Sequence, residues 1–260
     1  MTNELIAQFG FIGLLIGFVG GYLGIGGAPL YIFLVGTFLG FPQHMAQGTI
    51  VAIMLGPMTL PGVIAMWGLV KKNLEYIFIA VLTYAIFSYF GAAAAYYFNN
   101  DSLRVIFATF LFALGVKYCR ATEEEFSSTV LPLTRGTMTL IGIAAGVVGG
   151  FFGIGGGVVI IPILMRFFGR HKDEARAISL AVLAPPVSVG AVIKYHSMGH
   201  VNWILVLAGF TGYVLSNYWG AKLGKSHSSG NFRFYFGLIL ATSAVLYAIP
   251  VLKQWISLAY

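Results

Sequence analysis

The sequence predicts an all-α polytopic membrane protein: two inverted repeats of about five helical segments each, with a glycine-broken helical hairpin at the start of each repeat. Three observations carry this. The chain is 58% hydrophobic and 9% charged with a mean hydropathy of +0.88, whereas soluble domains carry about 25% charged residues. One glycine cluster occurs twice, 129 positions apart, as Gly20-Gly21-Tyr22-Leu23-Gly24-Ile25-Gly26-Gly27 and as Gly149-Gly150-Phe151-Phe152-Gly153-Ile154-Gly155-Gly156. The basic residues of the loops gather on one face once each cluster is read as the apex of a hairpin.

The apolar segments are 5–23, 27–40, 45–70, 74–98 and 102–119, then 136–152, 156–169, 177–197, 201–222 and 232–252. The second and seventh are about 14 residues long, short of the roughly 20 that span a bilayer. Each is cut from its predecessor only by the glycine cluster. Segment 120–135, with Arg120, Glu123, Glu124, Glu125, Ser127, Ser128 and Arg135, reads as a polar linker. The chain divides into a first repeat at 1–119, this linker, and a second repeat at 136–260.

The duplication extends far beyond the glycines. A shift of 129 aligns 12–118 with 141–247 without a gap, with 28 identities over 107 positions, where a chain this biased yields roughly ten by chance. Pro57 meets Pro186, Asn73 meets Asn202, Tyr84 meets Tyr213, Arg104 meets Arg233 and Tyr118 meets Tyr247.

If the first two segments enter and leave on one side, one face carries Lys71, Lys72, Lys117, Arg120, Arg135, Arg166, Arg170, Lys172, Arg176, Lys222, Lys225 and Arg233. The other carries only Arg104, Lys194 and Lys253. Letting each broken stretch cross once splits the charges 8 against 7, with no bias. The positive-inside rule therefore selects the hairpin. An odd number of segments per half then inverts the second repeat. Both termini face outward and the linker is cytoplasmic. The N-terminal stretch Met1–Glu4 has no Lys or Arg, which argues against a cleaved signal peptide.

Inverted repeats with interrupted helices are the architecture of many secondary transporters, with the site at the repeat interface. A half-helix starting after a glycine turn presents free N–H groups and the positive end of its dipole, which suits an anion. The substrate-binding candidates are Gly24, Gly26 and Gly27 in the first copy and Gly153, Gly155, Gly156 and Gly157 in the second. The competing reading is that these glycines only allow close helix packing.

The helix returning after each hairpin reaches the same depth at Gly56-Pro57-Met58-Thr59 and Pro185-Pro186-Val187-Ser188. Thr59 and Ser188 are candidate substrate hydroxyls, with back-bonding to a kinked helix as their competing role. Thr49 and Ser179 lie nearer the entrances. Lys194 and Arg176 are possible anion-attracting residues, set against snorkelling and cytoplasmic charge. Tyr84, Tyr213, Ser88 and Asn217 sit mid-segment, where joining helices is the commoner role.

Several functions are disfavoured. The charge of +7 is spread between apolar segments rather than in a stripe, so nucleic acid is not expected. Cys119 stands alone, and His44, His171, His196, His200 and His227 lie at segment ends without metal spacing. No cofactor or metal is expected. Every carboxylate falls at a segment end or in a loop, which disfavours a cation carrier and an enzyme. An anion channel stays open as an alternative, as does a carrier of a non-sulfur carboxylate. The oligomeric state is not legible. The expected partners are a small anion and the lipid bilayer.

The run Gly153-Ile154-Gly155-Gly156-Gly157-Val158-Val159-Ile160-Ile161-Pro162 resembles the glycine-rich signature of the TauE/SafE sulfite exporter family. The helix after it, with Ala175 and Ser179, is similar to the segment following that signature. The resemblance covers essentially the whole chain. It implies transport of a sulfur-containing anion, such as sulfite or an organosulfonate, across a prokaryotic cytoplasmic membrane. The first copy departs from the signature: Gly26-Gly27 is followed by Ala28 and Pro29, and Phe33 replaces the later proline.

Overall fold

A computed structural model of the chain describes residues 3–23, 27–120, 131–226 and 230–259. All regular structure among them is helical. The first half holds α1 (Asn3–Leu23), α2 (Ala28–Phe38), α3 (Gln43–Ile53), α4 (Leu60–Ala65), α5 (Trp67–Val70), a 3-10 turn at Lys71–Asn73, α6 (Leu74–Ala95) and α7 (Asn100–Arg120). The second half holds α8 (Arg135–Phe152), α9 (Gly157–Phe168), α10 (Lys172–Leu183), α11 (Val189–Ser197), α12 (Trp203–Ser226) and α13 (Gly230–Ala259). The helix starts Ala28, Gln43, Leu60 and Leu74 recur 129 positions later as Gly157, Lys172, Val189 and Trp203.

Among the described residues, Asn3–Tyr22, Trp67–Ala95, Arg135–Phe152 and Gly237–Ser257 are long and apolar enough to cross a membrane. Phe11, Leu15, Phe78, Ile86, Leu207, Leu215 and Tyr218 stay exposed around the outside. A patch of that extent suits contact with lipid rather than water. The hairpin partners α2 and α9 have 11 and 12 residues, so each rises only about 16–18 Å.

The segments 45–70 and 177–197, read from the sequence as continuous, share one break, and 45–70 has a further one at Met66 between α4 and α5. The shared breaks fall at 54–59 and 184–188. Proline has no N–H and its ring clashes with the carbonyl four residues back, and the residue before it is pushed out of helical geometry. Gly56-Pro57 and the pair Pro185-Pro186 therefore stop the helix. Both breaks close identically: Met58 N–H donates to Gly56 O at 2.7 Å and Leu60 N–H to Pro57 O at 3.1 Å. Val187 to Pro185 and Val189 to Pro186 repeat those distances.

Small residues bring the long helices together. A Cβ on Gly13 would fall 2.5 Å from Gly209 O, on Gly17 2.3 Å from Tyr213 O, and on Gly220 2.1 Å from Phe18 O. The numbers rise together, so α1 and α12 run parallel. Gly142 against Ala80, Gly146 against Tyr84 and Gly150 against Ser88 make α8 parallel to α6 in the same way. Each half's opening helix thus docks on a long helix of the other half. In contrast, α7 and α13 are antiparallel: Gly115 meets Gly237 and Ala241, and Arg104 Nε donates to Tyr247 O at 3.0 Å.

These directions define two ends. The terminal end gathers the start of α1, the end of α6 and the starts of α3, α7 and α12. The linker end gathers the starts of α6, α8 and α10 and the end of α9. It is tied by the Arg135–Glu75 ion pair, by Arg170 to Glu174 at 2.8 Å and by Asn73 to Glu174 at 3.1 Å. Lys71, Lys72, Lys117, Arg120, Arg135, Arg166 and Arg170 lie at the linker end, whereas Arg104 and Lys194 lie toward the terminal end.

Candidate functional site

The second glycine cluster is the turn between α8 and α9. Gly153 and Gly155 sit at φ 69° and 73°, where residues with a Cβ are strained. Gly156 is the N-cap of α9, with no side chain capping it. The N–H groups of Val159 and Ile160 return to Gly156 O at 2.9 Å each. The first-turn N–H groups of a helix have no partner inside it, and here they belong to Gly157 and Val158 at the positive end of α9.

Three neighbouring helices enclose this turn. A Cβ on Gly153 would lie 2.9–3.1 Å from Gln47 Cβ, Cα and O of α3. Tyr84 of α6 packs on Gly149 and Gly156. Tyr195 of α11 donates to Gln47 Oε1 at 3.0 Å and reaches Gly150 O at 3.2 Å. The methyl of Met54 covers Gly155.

In the first half, Gly24 and Gly26 lie outside the described residues. Gly27 is the N-cap of α2 at φ 63°. Leu30 and Tyr31 N–H return to its carbonyl at 3.2 Å, and Pro29 has no N–H. The first turn of α2 therefore offers fewer donors than that of α9.

The four hydroxyl candidates divide into two kinds. Thr59 Oγ1 donates to Leu180 O at 2.9 Å, and Thr49 Oγ1 accepts from Asn202 N–H at 3.3 Å. Both are spent on the backbone of the other half, not on their own helix. Ser179 and Ser188 are buried, and neither Oγ has a partner among the described residues. Lys194 Nζ sits 5.3 Å from the Tyr96 ring centroid toward the terminal end, and Arg176 lies one turn into α10. Ser88 and Asn217 join helices: Ser88 Oγ accepts from Ala191 N–H at 3.2 Å, and Asn217 Nδ2 donates to Gly17 O at 3.2 Å.

Two buried glutamines went unranked in the sequence. Gln43 and Gln47 of α3 each have an Nε2 with no acceptor among the described residues. Their acyl oxygens take the Tyr247 hydroxyl at 2.6 Å and the Tyr195 hydroxyl at 3.0 Å. The available signal was their spacing of four at the start of α3, which puts both on one helix face.

An aromatic and imidazole stack covers the terminal end of this region. His44 lies on Tyr96 with centroids 4.7 Å apart, and its Nδ1 is 2.8 Å from Asn100 Oδ1. Tyr96 Oη is 2.9 Å from His200 Nδ1. Burial, and then the neighbouring His44, hold His200 below the usual imidazole value. No group of three metal-ligating side chains occurs among the described residues.

An all-helical bundle with an apolar exterior, helices that stop inside it and a buried centre of hydrogen-bond donors has the makings of a polytopic membrane transporter. The profile described as "Sulfite exporter TauE/SafE" matches residues 2–118 and 120–247, and the chain belongs to that family. It is 28% identical over 250 residues to a "Probable membrane transporter protein" of Methanocaldococcus jannaschii, covering 88% of this chain and 90% of that one. A protein described in the same words from Xylella fastidiosa is 29% identical over 265 residues, covering 97% and 96%. Another from Bacillus subtilis is 28% identical over 214 residues, covering 80% and 86%. No solved structure matches.

Proposed function

We propose that this protein carries a small sulfur-containing anion, sulfite or an organosulfonate, across the cytoplasmic membrane by alternating access. The observation that carries the reading is the open N-terminus of α9. It is buried, has no side-chain cap and is packed by Gln47, Tyr84 and Tyr195, and the described carboxylates Glu4, Glu75, Asp101, Asp173 and Glu174 lie at helix ends. The substrate sits at that N-terminus, with Gly156 and Gly157 letting it approach the backbone and Ser179 and Ser188 supplying hydroxyls. Arg176 and Lys194 attract anions toward the two entrances.

The two halves act as an inverted repeat. The recurring helix starts and the exchanged docking of α1 on α12 and α8 on α6 support that reading. By the positive-inside rule the linker end faces the cytoplasm and both termini face outward. The sulfur chemistry rests on the family.

A thermal-shift and uptake screen over sulfite, sulfate, thiosulfate, isethionate, sulfoacetate and taurine tests the assignment. Stabilisation and saturable counterflow with at least one sulfur anion are expected. A clear response to a cation or sugar alone, or to carboxylates alone, would overturn it, and non-saturating flux would indicate a channel. Gly156→Leu, which drives a side chain at Tyr84 and Ala145, should abolish binding in a folded protein.

A further inference from the structure

Gln43 and Gln47 occupy successive turns of one face of α3, which runs from the terminal end toward the glycine turn. Both side chains are buried, at 2% and 0% exposure. In each, a tyrosine hydroxyl from the second half claims the acyl oxygen: Tyr247 of α13 for Gln43 and Tyr195 of α11 for Gln47. A carboxamide fixed through its oxygen has its NH2 held in one direction, with two donors to satisfy. Neither Nε2 finds an acceptor among the described residues. Buried donors in native interiors are nearly always satisfied, so these sites call for an acceptor that arrives from outside.

We propose that Gln43 and Gln47 are two successive oxyanion-binding positions on the route between the terminal end and the α9 N-terminus, each binding through its carboxamide N–H donors. This rests on the anion-carrier reading. Gln47 is the inner position, since its backbone abuts Gly153. Gln43 is the outer one, beside His44. Four residues along a helix rise about 6 Å, so a sulfite or sulfonate head group meets one amide at a time. The ligand class is an oxyanion with several acceptor oxygens and no donor facing the amide. An ammonium group would meet the positive end of each N–H dipole and be rejected.

The repeat sharpens this. The positions 129 later are Lys172 and Arg176. By sequence, the second repeat has basic residues at the positions where the first has neutral amides. Neutral donors hold an anion weakly enough to pass it on, a requirement for conduction through successive sites.

The test uses the full chain, purified in detergent and in proteoliposomes, with thiosulfate, isethionate, phosphate and acetate as probes. Gln47→Glu keeps an oxygen for Tyr195 but replaces the donors with an acceptor. Gln47→Lys keeps donors only. Anion affinity should fall by about tenfold or more in Gln47→Glu. In Gln47→Lys it should hold or rise while counterflow slows. Equal losses in both variants, or wild-type affinity in Gln47→Glu, would overturn the proposal; the second result is what an amide serving only a buried water would give. Should Gln47→Glu not fold, Gln43→Glu and Gln43→Lys carry the same split. A wild-type protein that answers phosphate or acetate but no sulfur anion sinks the sulfur assignment alone, and the amides are then judged on the anion that binds. Binding lost in Gly156→Leu but intact in Gln47→Glu sinks the amides alone. A wild-type protein that answers no anion sinks both.

Discussion

Replacing Gly153 with alanine asks two separate things of the structure. The backbone at φ 69° must accept a Cβ, at about 1–2 kcal/mol. That Cβ must also fit 2.9 Å from Gln47 Cβ, 3.0 Å from its Cα and 3.1 Å from its carbonyl oxygen. Two of those three atoms are backbone, so relief requires α3 to shift, and overpacking of this kind costs about 1–3 kcal/mol. Gly199→Ala is the control, because Gly199 has φ 75° and nothing within 4 Å of an added Cβ. The difference between the two variants isolates the contact of the glycine turn with α3. It amounts to roughly 2–10 °C in melting temperature for a chain of this size, read by thermal unfolding of the solubilised protein. Gly153→Ala should also weaken anion binding, since it pushes on the residue that carries the Gln47 amide, and Gly199→Ala should not. Equal melting shifts in the two variants would refute the packing of the α8–α9 turn on α3, and with it the convergence of Gln47 and the α9 N-terminus.

Two further outcomes follow from the same geometry. His200, held below its usual 6.5 by burial and His44, has its ring against Tyr96 and His44, and it binds its proton later in the folded chain than in the unfolded one. Stability should therefore be full above pH 6.5 and decline as pH falls through the lower folded value; a His200→Gln variant whose melting temperature tracks pH as wild type does would remove His200 as the cause. Thr59→Val deletes the bond to the Leu180 carbonyl and should cost about 1–3 kcal/mol, with Thr59→Ser restoring most of it in the same melting assay, so a neutral Thr59→Val would mean that this bridge contributes nothing.

Helix positions were legible because apolar runs of bilayer length leave few alternatives, and because one duplication predicts the same starts twice. The proline breaks were underestimated for a physical reason: the runs on both sides are equally apolar, so hydropathy reads through Gly56-Pro57 and Pro185-Pro186. The turn at Gly153–Gly156 was visible since Gly153 and Gly155 sit at the positive φ that favours glycine. Hydroxyls were harder. Ser179 and Ser188 have no partner among the described residues, but Thr49 and Thr59 are engaged by Asn202 and Leu180, which lie more than a hundred residues away in sequence. Gln43 and Gln47 form no motif, and their significance depends on Tyr247 and Tyr195, 204 and 148 positions distant.

The two halves kept the positions that shape the backbone and changed those proposed to meet a ligand. Gly27 and Gly156 both cap a half-helix, yet Pro29 deletes a donor where Val158 retains one. The glutamines of α3 stand where α10 has Lys172 and Arg176. On the proposed reading, a shared backbone with unequal donor sets gives one principal anion position rather than two equivalent ones. The bonds that hold the present arrangement also cross between halves: Thr59 to Leu180, Asn202 to Thr49, Tyr195 to Gln47 and Tyr247 to Gln43. At about 0.5–1.5 kcal/mol each, breaking all four costs roughly 2–6 kcal/mol. That is the scale separating two conformations that a ligand can redistribute. Because two of the four orient the amides, moving the halves apart would release the NH2 groups as well. If Gln43 and Gln47 bind the anion as proposed, that binding is coupled to the packing of the halves through Tyr195 and Tyr247, and a substrate that binds the clamped amides more tightly than the free ones would stabilise this packing.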